Sequence, residues 1–587
     1  MKKIFLFIIL LLFLVPNCFC LSGKNKEDLS TLIKKEMNQK NIVGLSIAVI
    51  DDHDVIWSEG FGFADRDKQK VATPETVYCL GSMSKLFTDF AILQLYDRGI
   101  IDIDKPLQTY LPDFSIKTLN KNQKDITLRD LICHCSGLPR DFLKDGHGKS
   151  HVDFSAEMDN NFLKELSETY RFSSSDPIYA YSNIGVTLLG LLISKKAGEH
   201  FVSYMDKYVF FDLKMNSSSF RLTTRLNNFV SKGYTRGVED RWFAGNYYPA
   251  SALNSSVLDV SNFIKMIFAE GVFEGKRVLS KDLVKEMYTV QNSENLFDFG
   301  FKMGLGWKLG QFDANHKLNY SGPIAFHYGF VTPFNGLVVI LPECKIGVVV
   351  LLNSFPSGGL SSQIIFEVLS LILKQKNLEN SNVQTDDLQN YDCDGSKVEG
   401  LYNLSAGVAE IKKQNGKLIF ESSQKSFYFS RNSETGFYEL CNLDGSKASK
   451  YSDLGFRFEN KAEHDFIIAN ENGRNFVWGL RIDTPNYSNE WKERAGVYQI
   501  INLDGGDANL GDIAIKFDEN RNLMFFAYSY PVALTPQKDF LLSPINNDLA
   551  FLNLLPLGKE SGEALEVIKE KGREVLLYLG YKLKRTV

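Results

Sequence analysis

The sequence predicts a mixed α/β fold of the α+β type: an antiparallel sheet flanked by helices, an inserted all-helical lobe, and a β-rich C-terminal region. Strand patterns occur near the start of the chain and return after its middle, and helical patterns fill the stretch between them. A polar segment then leads into a second stretch with the texture of strands. These three observations separate a mixed domain from a β-rich tail.

The mixed domain is predicted to begin with a helix and a hairpin. Residues 27–39 repeat apolar side chains at helical spacing, which indicates an amphipathic helix. Residues 43–50 and 54–60 are strand-like and are separated by a short polar turn, which indicates a hairpin. Residues 86–96 are apolar and predict a buried helix.

The rest of this domain returns to the sheet after a long helical stretch. Helical signals dominate from about residue 104 to residue 235. Strands are predicted at 336–341 and 347–352, and a helix at 361–374. Because strands lie on both sides of the helical stretch, we expect a helical lobe inserted into one domain of residues 25–375.

The C-terminal part is predicted to hold two β-rich units. Residues 376–396 are polar and rich in Asn, Asp and Gln, which is typical of a linker. Strand patterns follow over 397–484 and over 491–587.

A weak internal similarity connects the two β-rich units. Glu399-Gly400-Leu401-Tyr402 precedes a turn and strand at 415–420, and Ala495-Gly496-Val497-Tyr498 precedes a similar pair at 520–525. This similarity suggests two related β units, but Gly-x-Tyr and turn-strand patterns are also common in β proteins without a repeat.

Composition limits the function classes. The net charge of −5 and the pI of 6.0 provide no basic surface for nucleic acid, so no nucleic-acid partner is predicted. Aromatic residues make up 13% of the chain and argue against disorder. At 587 residues the chain is too long for one core.

The N-terminus predicts a secretory signal peptide over residues 1–20. Met1-Lys2-Lys3 is basic, residues 4–15 are apolar, and Cys20 offers a cleavage position. We therefore expect a secreted or periplasmic protein, with membrane attachment only if this segment stays uncleaved.

No metal or cofactor is predicted. His147 and His151 are four residues apart, but a glycine lies between them and a third ligand is lacking, so a solvated loop is expected. Cys393 and Cys441 are a candidate disulfide in an oxidising compartment. The other cysteines beyond position 20 are expected to be small buried side chains.

The segment Gly81-Ser82-Met83-Ser84-Lys85-Leu86-Phe87 carries the chemical signal. It places a serine three residues before a lysine at the start of a predicted helix, so the two side chains share a face. A serine hydroxyl must lose its proton to a base as it attacks. A lysine with a lowered pKa can be that base, which predicts acyl transfer.

Ser-x-x-Lys is a weak signal by itself, because the chain repeats it at Ser422 and Lys425, where no helix is predicted. The first copy is followed in order by Tyr181-Ser182-Asn183 and His327-Tyr328-Gly329. A further Tyr487-Ser488-Asn489 lies in the β-rich tail without the other parts.

These motifs, in this order, resemble the serine β-lactamase and penicillin-binding protein superfamily in its class-C-like branch, which includes AmpC-type β-lactamases, DD-carboxypeptidases, D-aminopeptidases and esterases. The resemblance covers residues 25–375 and implies the β-lactamase/transpeptidase-like fold. It is also carried by Gly60-Phe61-Gly62-Phe63-Ala64-Asp65, Thr73-Pro74-Glu75-Thr76, the run 126–139 ending in His134-Cys135-Ser136-Gly137-Leu138-Pro139, Ser251-Ala252-Leu253-Asn254-Ser255-Ser256, and Gly304-Leu305-Gly306-Trp307.

The resemblance implies catalytic roles. Ser82 would be the nucleophile that forms an acyl-enzyme. Lys85 would accept or relay its proton and Tyr181 would share that task, so the general base stays open between them. Asn183 would hydrogen-bond a substrate amide or the lysine, and His134 would support packing.

The motif His327-Tyr328-Gly329 implies the remaining site residues. The backbone N–H groups of Ser82 and Phe330 would form the oxyanion hole, with Gly329 beside them at the substrate. His327 takes the place of the lysine in the family's Lys-Thr-Gly motif, which is typical of the peptidase and esterase relatives. Phe334 stands where relatives usually have glycine and is expected to narrow the binding edge.

The sequence therefore predicts an exported, metal-free serine hydrolase that acts on a small-molecule or peptide substrate through an acyl-enzyme. Peptides, amides and esters are the expected substrates, with β-lactams as slower ones. The alternative is a penicillin-binding or sensor protein that does not turn over and recognises a ligand through its C-terminal region. A tail that gates the cleft is a third hypothesis.

Overall fold

The structure is a computed structural model of the chain. It describes residues 21–118, 123–142, 156–171, 179–240, 247–293, 301–313, 316–379, 398–404, 407–422, 425–433, 435–452, 454–461, 464–471, 474–503, 510–530, 535–553 and 563–586. The predicted signal segment, His147, His151, Cys393 and most of the predicted linker lie outside these residues.

An eight-stranded antiparallel sheet is the framework of the first domain. In spatial order its strands are Lys302–Met303, Lys308–Leu309, Ala325–Val331, Phe334–Leu341, Ile346–Leu352, Gly44–Asp51, Asp54–Asp65 and Lys70–Val71. The N-terminal hairpin lies beside the strand Ile346–Leu352, with Ala48 opposite Val349. Both ends of the domain therefore meet in one sheet, as the sequence predicted.

Both faces of this sheet are covered. Along the strand Gly44–Asp51, Leu45 and Ile47 belong to one hydrophobic cluster, whereas Ala48 and Ile50 belong to the other. This is the period-two alternation of a strand buried on both faces. The helices Gly23–Gln39 and Leu360–Gln375 pack on one face, and Val257–Phe268 packs on the other.

The helical lobe lies between the two halves of the sheet in sequence. It contains the two longer helices Ser84–Asp97 and Asn183–Ala197, which are buried along most of their length. Shorter elements complete the domain. They are the helices Leu128–Ile132, Ala156–Ser167, Phe201–Tyr204, Tyr248–Ser251 and Lys281–Met287, the 3₁₀ turns Gly81–Met83 and Leu107–Thr109, the π-helical turn Met205–Phe210, and the strand groups Tyr78–Cys79 with Asn254–Ser255, Val272–Phe273 with Lys276–Arg277, and Ser354–Phe355 with Gly233–Thr235 and Val238–Asp240.

The C-terminal region forms two closed eight-stranded barrels. The first contains Gly400–Leu404, Gly407–Gln414, Lys417–Ser422, Ser426–Arg431, Tyr438–Asn442, Leu454–Lys461, His464–Glu471 and Arg474–Ile482, with the 3₁₀ turn Ser449–Tyr451. The second follows the short helix Asn489–Glu493 and contains Gly496–Ile500, Gly511–Asp518, Leu523–Tyr530, Thr535–Asn546, Leu549–Asn553, Ala564–Glu570, Arg573–Tyr578 and Tyr581–Arg585. Hydrophobic side chains fill each interior. The predicted fold class is confirmed.

Each barrel closes in the same way at its first strand. In the first barrel Tyr402 lies opposite Arg481 of the last strand, and in the second Tyr498 lies opposite Arg585. The hydroxyl of Tyr402 donates to a backbone carbonyl four residues earlier at 3.1 Å, and that of Tyr498 does the same at 2.7 Å. This shared closure agrees with the repeat that the two Gly-x-Tyr segments predicted.

The same comparison explains the glycine of each Gly-x-Tyr segment. A Cβ on Gly400 would lie 2.7 Å from Nε of Arg481, and one on Gly496 would lie 2.6 Å from Nε of Arg585. The two glycines therefore make room for the arginine of the closing strand.

The second barrel contacts the helical lobe. Lys117 Nζ forms an ion pair with Glu566 at 3.0 Å, and the rings of Tyr170 and Phe551 meet edge to face at 6.1 Å. Both ion-pair partners are half-buried, so water screens this pair less than it would screen an exposed one.

Besides the two-residue strands Lys70–Val71, Lys302–Met303 and Lys308–Leu309, sequence patterns missed the strand of the sheet that contains His327. His327 was expected just before a strand starting near residue 336, but it lies inside a strand of its own, Ala325–Val331. Gly329 weakens the strand pattern, although the structure needs it there, since a Cβ would lie 2.0 Å from the carbonyl oxygen of Leu80.

Within the described ranges, no helix is both long enough and apolar enough to cross a membrane.

Close packing between two lobe segments generates a stability prediction. A Cβ on Gly190 would lie 2.5 Å from Cγ of Pro249, whereas one on Gly185, in the same helix, would meet Leu131 at an ordinary 3.4 Å. We expect Gly190→Ala to lower the free energy of unfolding by about 1–3 kcal/mol through overpacking. Gly185→Ala should be neutral or gain up to about 1 kcal/mol from helix propensity. Urea midpoints of the two variants measure this, and equal midpoints would contradict it.

Candidate active site

Ser82 lies in a tight turn that enters the helix Ser84–Asp97. The turn, Gly81–Met83, is a 3₁₀ turn with Gly81 at a φ of +52°, where a larger residue would be strained. The hydroxyl of Ser84 fixes it by donating to the Gly81 carbonyl at 2.6 Å and accepting the N–H of Leu253 at 3.0 Å. The partly exposed Ser82 side chain is thereby presented at a helix N-terminus.

Lys85 lies on the same face of this helix and reaches the serine. Its Nζ is 3.3 Å from Ser82 Oγ and donates to the carbonyl oxygen of Ala250 at 2.9 Å. The side chain is only 1% exposed. Burial, together with the positive charge of Arg140, lowers the pKa of Lys85 to about 7. With this pKa, about half of the Lys85 amines are neutral near pH 7 and can accept a proton.

Tyr181 brings a hydroxyl to the other side of the serine. Its Oη donates to Ser82 Oγ at 2.6 Å. Burial raises the pKa of Tyr181 to about 12, even though the charge of Arg140 acts in the opposite direction. The tyrosine therefore keeps its proton near neutral pH and is a donor to the serine oxygen.

Three cationic side chains surround the Tyr181 ring. The distances to the ring centroid are 4.7 Å for Lys85 Nζ, 5.2 Å for the Arg140 guanidinium carbon and 6.0 Å for Lys308 Nζ. Sequence reasoning missed Arg140 and Lys308. Each directly follows a segment that carried the family resemblance, Gly137-Leu138-Pro139 and Gly304-Leu305-Gly306-Trp307, so the signal was their position behind these motifs.

His134 holds the segment that carries Tyr181. Its backbone carbonyl accepts the N–H of Ala180 at 2.7 Å, its Nδ1 accepts the N–H of Ser182 at 3.3 Å, and its ring lies 4.5 Å from the Tyr181 ring. Burial lowers the pKa of His134 well below its ordinary value, so the ring is neutral and can accept at Nδ1. The residue adopts a left-handed φ of +57°.

Asn183 begins the helix that follows Tyr181. Its Nδ2 donates to Asp141 Oδ1 at 2.6 Å, and Asp141 also pairs with Arg140 at 2.8 Å. Its Oδ1 is buried and lacks a hydrogen-bond partner among the residues described. An orphaned buried acceptor is costly, so this oxygen is available to an N–H group that enters the site.

His327 lies on the strand beside the serine turn and is only 2% exposed. Its Nδ1 is 2.7 Å from the carbonyl oxygen of Tyr328, which fits a neutral ring with the proton on Nδ1. Burial, together with the charges of Lys308 and Lys85, lowers the pKa of His327 to about 3. The histidine therefore contributes no positive charge near neutral pH.

The backbones of the serine turn and the His327 strand are in direct contact. A Cβ on Gly81 would lie 2.7 Å from the backbone nitrogen of Phe330, and one on Gly329 would lie 2.0 Å from the Leu80 carbonyl oxygen. The two glycines thus let the backbone of the serine turn lie directly against the backbone of the His327 strand. The Phe330 ring turns away and packs against Phe355 at 5.2 Å.

One edge of the His327 strand is only partly covered. The strand Lys308–Leu309 pairs with Ala325 and Phe326, and no strand of the described chain continues this pairing along residues 327–331. These residues offer backbone groups beside Ser82 to an extended ligand.

The other short motifs have structural roles. Ser422 ends a strand, and its Oγ donates to the Lys425 backbone carbonyl at 2.8 Å, not to the lysine amine. Tyr487 Oη donates to the Leu542 carbonyl at 2.9 Å, and Ser488 caps a short helix. No cluster of three or more metal-ligating side chains occurs among the residues that the structure describes.

Comparisons with known proteins relate the first domain to one family. A family model described as Beta-lactamase matches residues 29–368, more than half of the chain. Protein flp of Staphylococcus aureus is 23% identical over 342 residues, which cover 57% of this chain and 64% of that protein. The chain thus spans less than two thirds of the length of this curated relative. The serine beta-lactamase-like protein LACTB, mitochondrial, of Homo sapiens is 24% identical over 449 residues, which cover 62% of this chain and 80% of that protein.

Solved structures are also similar. The octameric penicillin-binding protein homologue from Pyrococcus abyssi has a TM-score of 0.48 and 22% identity, and the match covers 78% of this chain and 96% of that chain. A class C beta lactamase from Rhodobacter sphaeroides has a TM-score of 0.48 and 20% identity, and the match covers 58% of this chain and 99% of that chain.

The contacts of His134 generate a prediction about Ser82 reactivity. His134→Asn keeps an acceptor for the Ser182 N–H and tolerates a left-handed backbone, whereas His134→Leu removes the acceptor at similar size. We expect a fluorophosphonate to label Ser82 about tenfold or more slowly in the leucine variant, because Tyr181 is no longer held, and within about threefold of the unchanged rate in the asparagine variant. Labelling rates are read beside thermal midpoints. Equal labelling rates in the two variants would contradict this role.

Proposed function

Because the chain belongs to the β-lactamase family, whose members are serine hydrolases, we propose that it hydrolyses ester or amide bonds through an acyl-enzyme on Ser82. The observation that carries the proposal is that Lys85 Nζ and Tyr181 Oη both lie within hydrogen-bond distance of Ser82 Oγ. A nucleophile between a neutral amine and a hydroxyl has both a proton acceptor and a proton donor.

In the proposed acylation step, Ser82 Oγ attacks the substrate carbonyl carbon and its proton passes to the neutral Lys85 amine. The carbonyl oxygen becomes an oxyanion and accepts the backbone N–H groups of Ser82 and Phe330, each worth about 10²–10³-fold in rate. The leaving group departs with a proton supplied by the Lys85 ammonium or through Tyr181 Oη.

Deacylation repeats these steps with water. A water molecule attacks the acyl carbon, gives its proton to the regenerated Lys85 amine, and Ser82 Oγ leaves with a proton. The pKa of Lys85, lowered to about 7 by burial, and the raised pKa of Tyr181 favour the lysine as general base and the tyrosine as a proton-carrying partner.

Peptides, amides and esters fit the site better than β-lactams do. The neutral His327 stands where β-lactam-hydrolysing relatives have a lysine, so that position does not attract an anion. The partly uncovered strand edge at 327–331 and the orphaned Asn183 Oδ1 offer partners to the N–H groups of an extended peptide or amide.

Replacing the nucleophile tests the proposal. We expect Ser82→Ala to abolish hydrolysis of 4-nitrophenyl esters and labelling by a fluorophosphonate or a fluorescent penicillin, because the variant lacks the hydroxyl that would form the acyl-enzyme. Ser422→Ala is the matched control and should leave both signals unchanged. Full hydrolysis by Ser82→Ala would sink the proposal. A burst equal to one product per chain without further turnover would instead support a penicillin-binding or sensor protein.

The same probe reports on the proposed export. The labelled natural protein should be found outside the cytosol, with its N-terminus near Leu21. Labelled protein in the cytosol with residues 1–20 intact would contradict export.

The pH dependence of hydrolysis tests the identity of the base. We expect kcat/KM to rise with pH through an apparent pKa near 7, because the neutral form of Lys85 increases as pH rises through this value. His327 and His134 stay neutral in this range and should add no second step. Lys85→Arg should be inactive. A profile that rises only near 10.5, the ordinary lysine value, would contradict a base with the lowered pKa of Lys85.

A further inference from the structure

We infer that Arg171 is a positioning residue for the proposed reaction: it anchors the loop that holds Tyr181 beside Ser82, so that the tyrosine hydroxyl can give its proton to the leaving group. The inference rests on the hydrolysis proposed at Ser82 and names the donor of this proton. Arg171 lies in none of the motifs that carried the family resemblance.

Residues 134–140, the support loop, hold the segment that carries Tyr181. Hydrogen bonds along this loop connect it to residues 180–183. The His134 carbonyl accepts the N–H of Ala180 at 2.7 Å, the His134 ring accepts the N–H of Ser182 at 3.3 Å, the Pro139 carbonyl accepts the hydroxyl of Ser182 at 2.6 Å, and the Arg140 carbonyl accepts the N–H of Asn183 at 2.8 Å. Because Tyr181 lies among these bonds, the position of its hydroxyl follows that of the support loop.

Arg171 anchors the middle of the support loop. Its Nε donates to the carbonyl oxygen of Ser136 at 2.7 Å, and its Nη1 donates to the carbonyl oxygen of Lys124 at 2.6 Å. Ser136 is only 1% exposed and lies between His134 and Pro139 in sequence. The planar guanidinium has donors in a fixed fork, so it binds two carbonyl groups at once and fixes the distance between them.

The anchor is itself held independently of the support loop. The backbone N–H of Arg171 donates to the Lys117 carbonyl at 2.8 Å, and the N–H of Lys117 donates to the Thr169 carbonyl at 2.9 Å. Burial lowers the pKa of Arg171, although the charges of Asp130 and Asp125 act in the opposite direction. An arginine stays charged in proteins, so both side-chain hydrogen bonds have a charged donor and are stronger than bonds between neutral groups.

The proton that Tyr181 gives comes in the end from Ser82. Lys85 takes the proton of Ser82 Oγ as the tetrahedral intermediate forms. The bond between the acyl carbon and the leaving oxygen then breaks, its electron pair stays on that oxygen, and the oxygen takes the proton of Tyr181 Oη. The Lys85 ammonium reprotonates the tyrosine oxygen, which restores both groups. The pKa of Tyr181, raised by burial to about 12, keeps the proton in place until this step.

Two esters that differ only in the leaving group test the inference. 4-Nitrophenyl acetate releases a stable anion, whereas phenyl acetate releases a more basic phenolate that leaves faster when it is protonated. We expect Arg171→Gln to lower the ratio of kcat/KM for phenyl acetate to that for 4-nitrophenyl acetate by roughly tenfold, because a displaced Tyr181 hydroxyl delivers its proton poorly. Both esters are measured on one sample, so a smaller folded fraction cancels from the ratio.

A double-variant cycle tests whether the arginine acts through the tyrosine. Tyr181→Phe should lower the same ratio at least as far as Arg171→Gln does, because it removes the proton itself. Adding Arg171→Gln to Tyr181→Phe should then change the ratio by less than about twofold. A purely structural arginine would change kcat/KM for both esters by the same factor in either background.

Arg66→Gln is the matched control. Arg66 also donates to a backbone carbonyl, that of Gly237 at 2.7 Å, and its guanidinium also lies over a tyrosine ring, that of Tyr234 at 5.2 Å. Its ratio should stay within about twofold of that of the unchanged protein, as for an ordinary surface substitution. If Arg171→Gln fails to fold, Arg171→Lys replaces it and should lower the ratio by about threefold, because lysine keeps the charge without the fork.

The outcomes separate the two proposals. Ser82-dependent turnover of both esters with an unchanged ratio in the Arg171 variant would overturn the role of Arg171 alone. An unchanged ratio in Tyr181→Phe, a further fall in the double variant, or an equal fall in Arg66→Gln would overturn it as well, because the arginine would then not act through the tyrosine proton. No Ser82-dependent turnover of either ester by the unchanged protein would overturn both proposals.

Discussion

The candidate site depends on keeping the Lys85 ammonium out of water. An exposed lysine with an ordinary pKa holds only about one neutral amine in a thousand or fewer near pH 7, whereas a pKa near 7 makes about half of the molecules neutral. Burial of the side chain accomplishes this, and the Ala250 carbonyl limits the cost by satisfying one of its donors. Ala250 directly follows Pro249, which packs closely against Gly190.

Local sequence patterns were sufficient to predict the contact between Ser82 and Lys85. Ser82 and Lys85 are about one helical turn apart. Their contact follows from the geometry of a helix, in which residues i and i+3 lie on the same face. Tyr181 and His327 were recognised by the order of their motifs, and the structure brings Tyr181 to the serine through tertiary packing. The strand of His327 was missed because its glycine weakens the strand pattern, and that glycine is required by a contact with Leu80 from a distant segment.

Other parts of the site depend on contacts that a linear pattern does not contain. Arg140 and Lys308 are far apart in sequence and meet only around the Tyr181 ring. The charge state of His327 does not follow from its motif, because burial of the ring lowers its pKa and leaves it neutral near pH 7. Strand-like sequence patterns revealed the two β-rich units. Their closure into barrels depends on pairing between the first and last strands, such as that of Tyr402 with Arg481, which a linear pattern does not show.

The close approach of Gly81 to Phe330 joins two layers of the first domain. Ser82, the proposed nucleophile, belongs to the helical lobe, and Phe330, whose N–H is its proposed partner, belongs to the sheet. Neither layer therefore contains a complete catalytic centre, and the centre exists only while the seam between them is closed. A small separation of the layers would abolish the proposed hydrolysis while every helix and strand remained intact. The chemistry is thus expected to be the first property lost on warming, ahead of the fold itself.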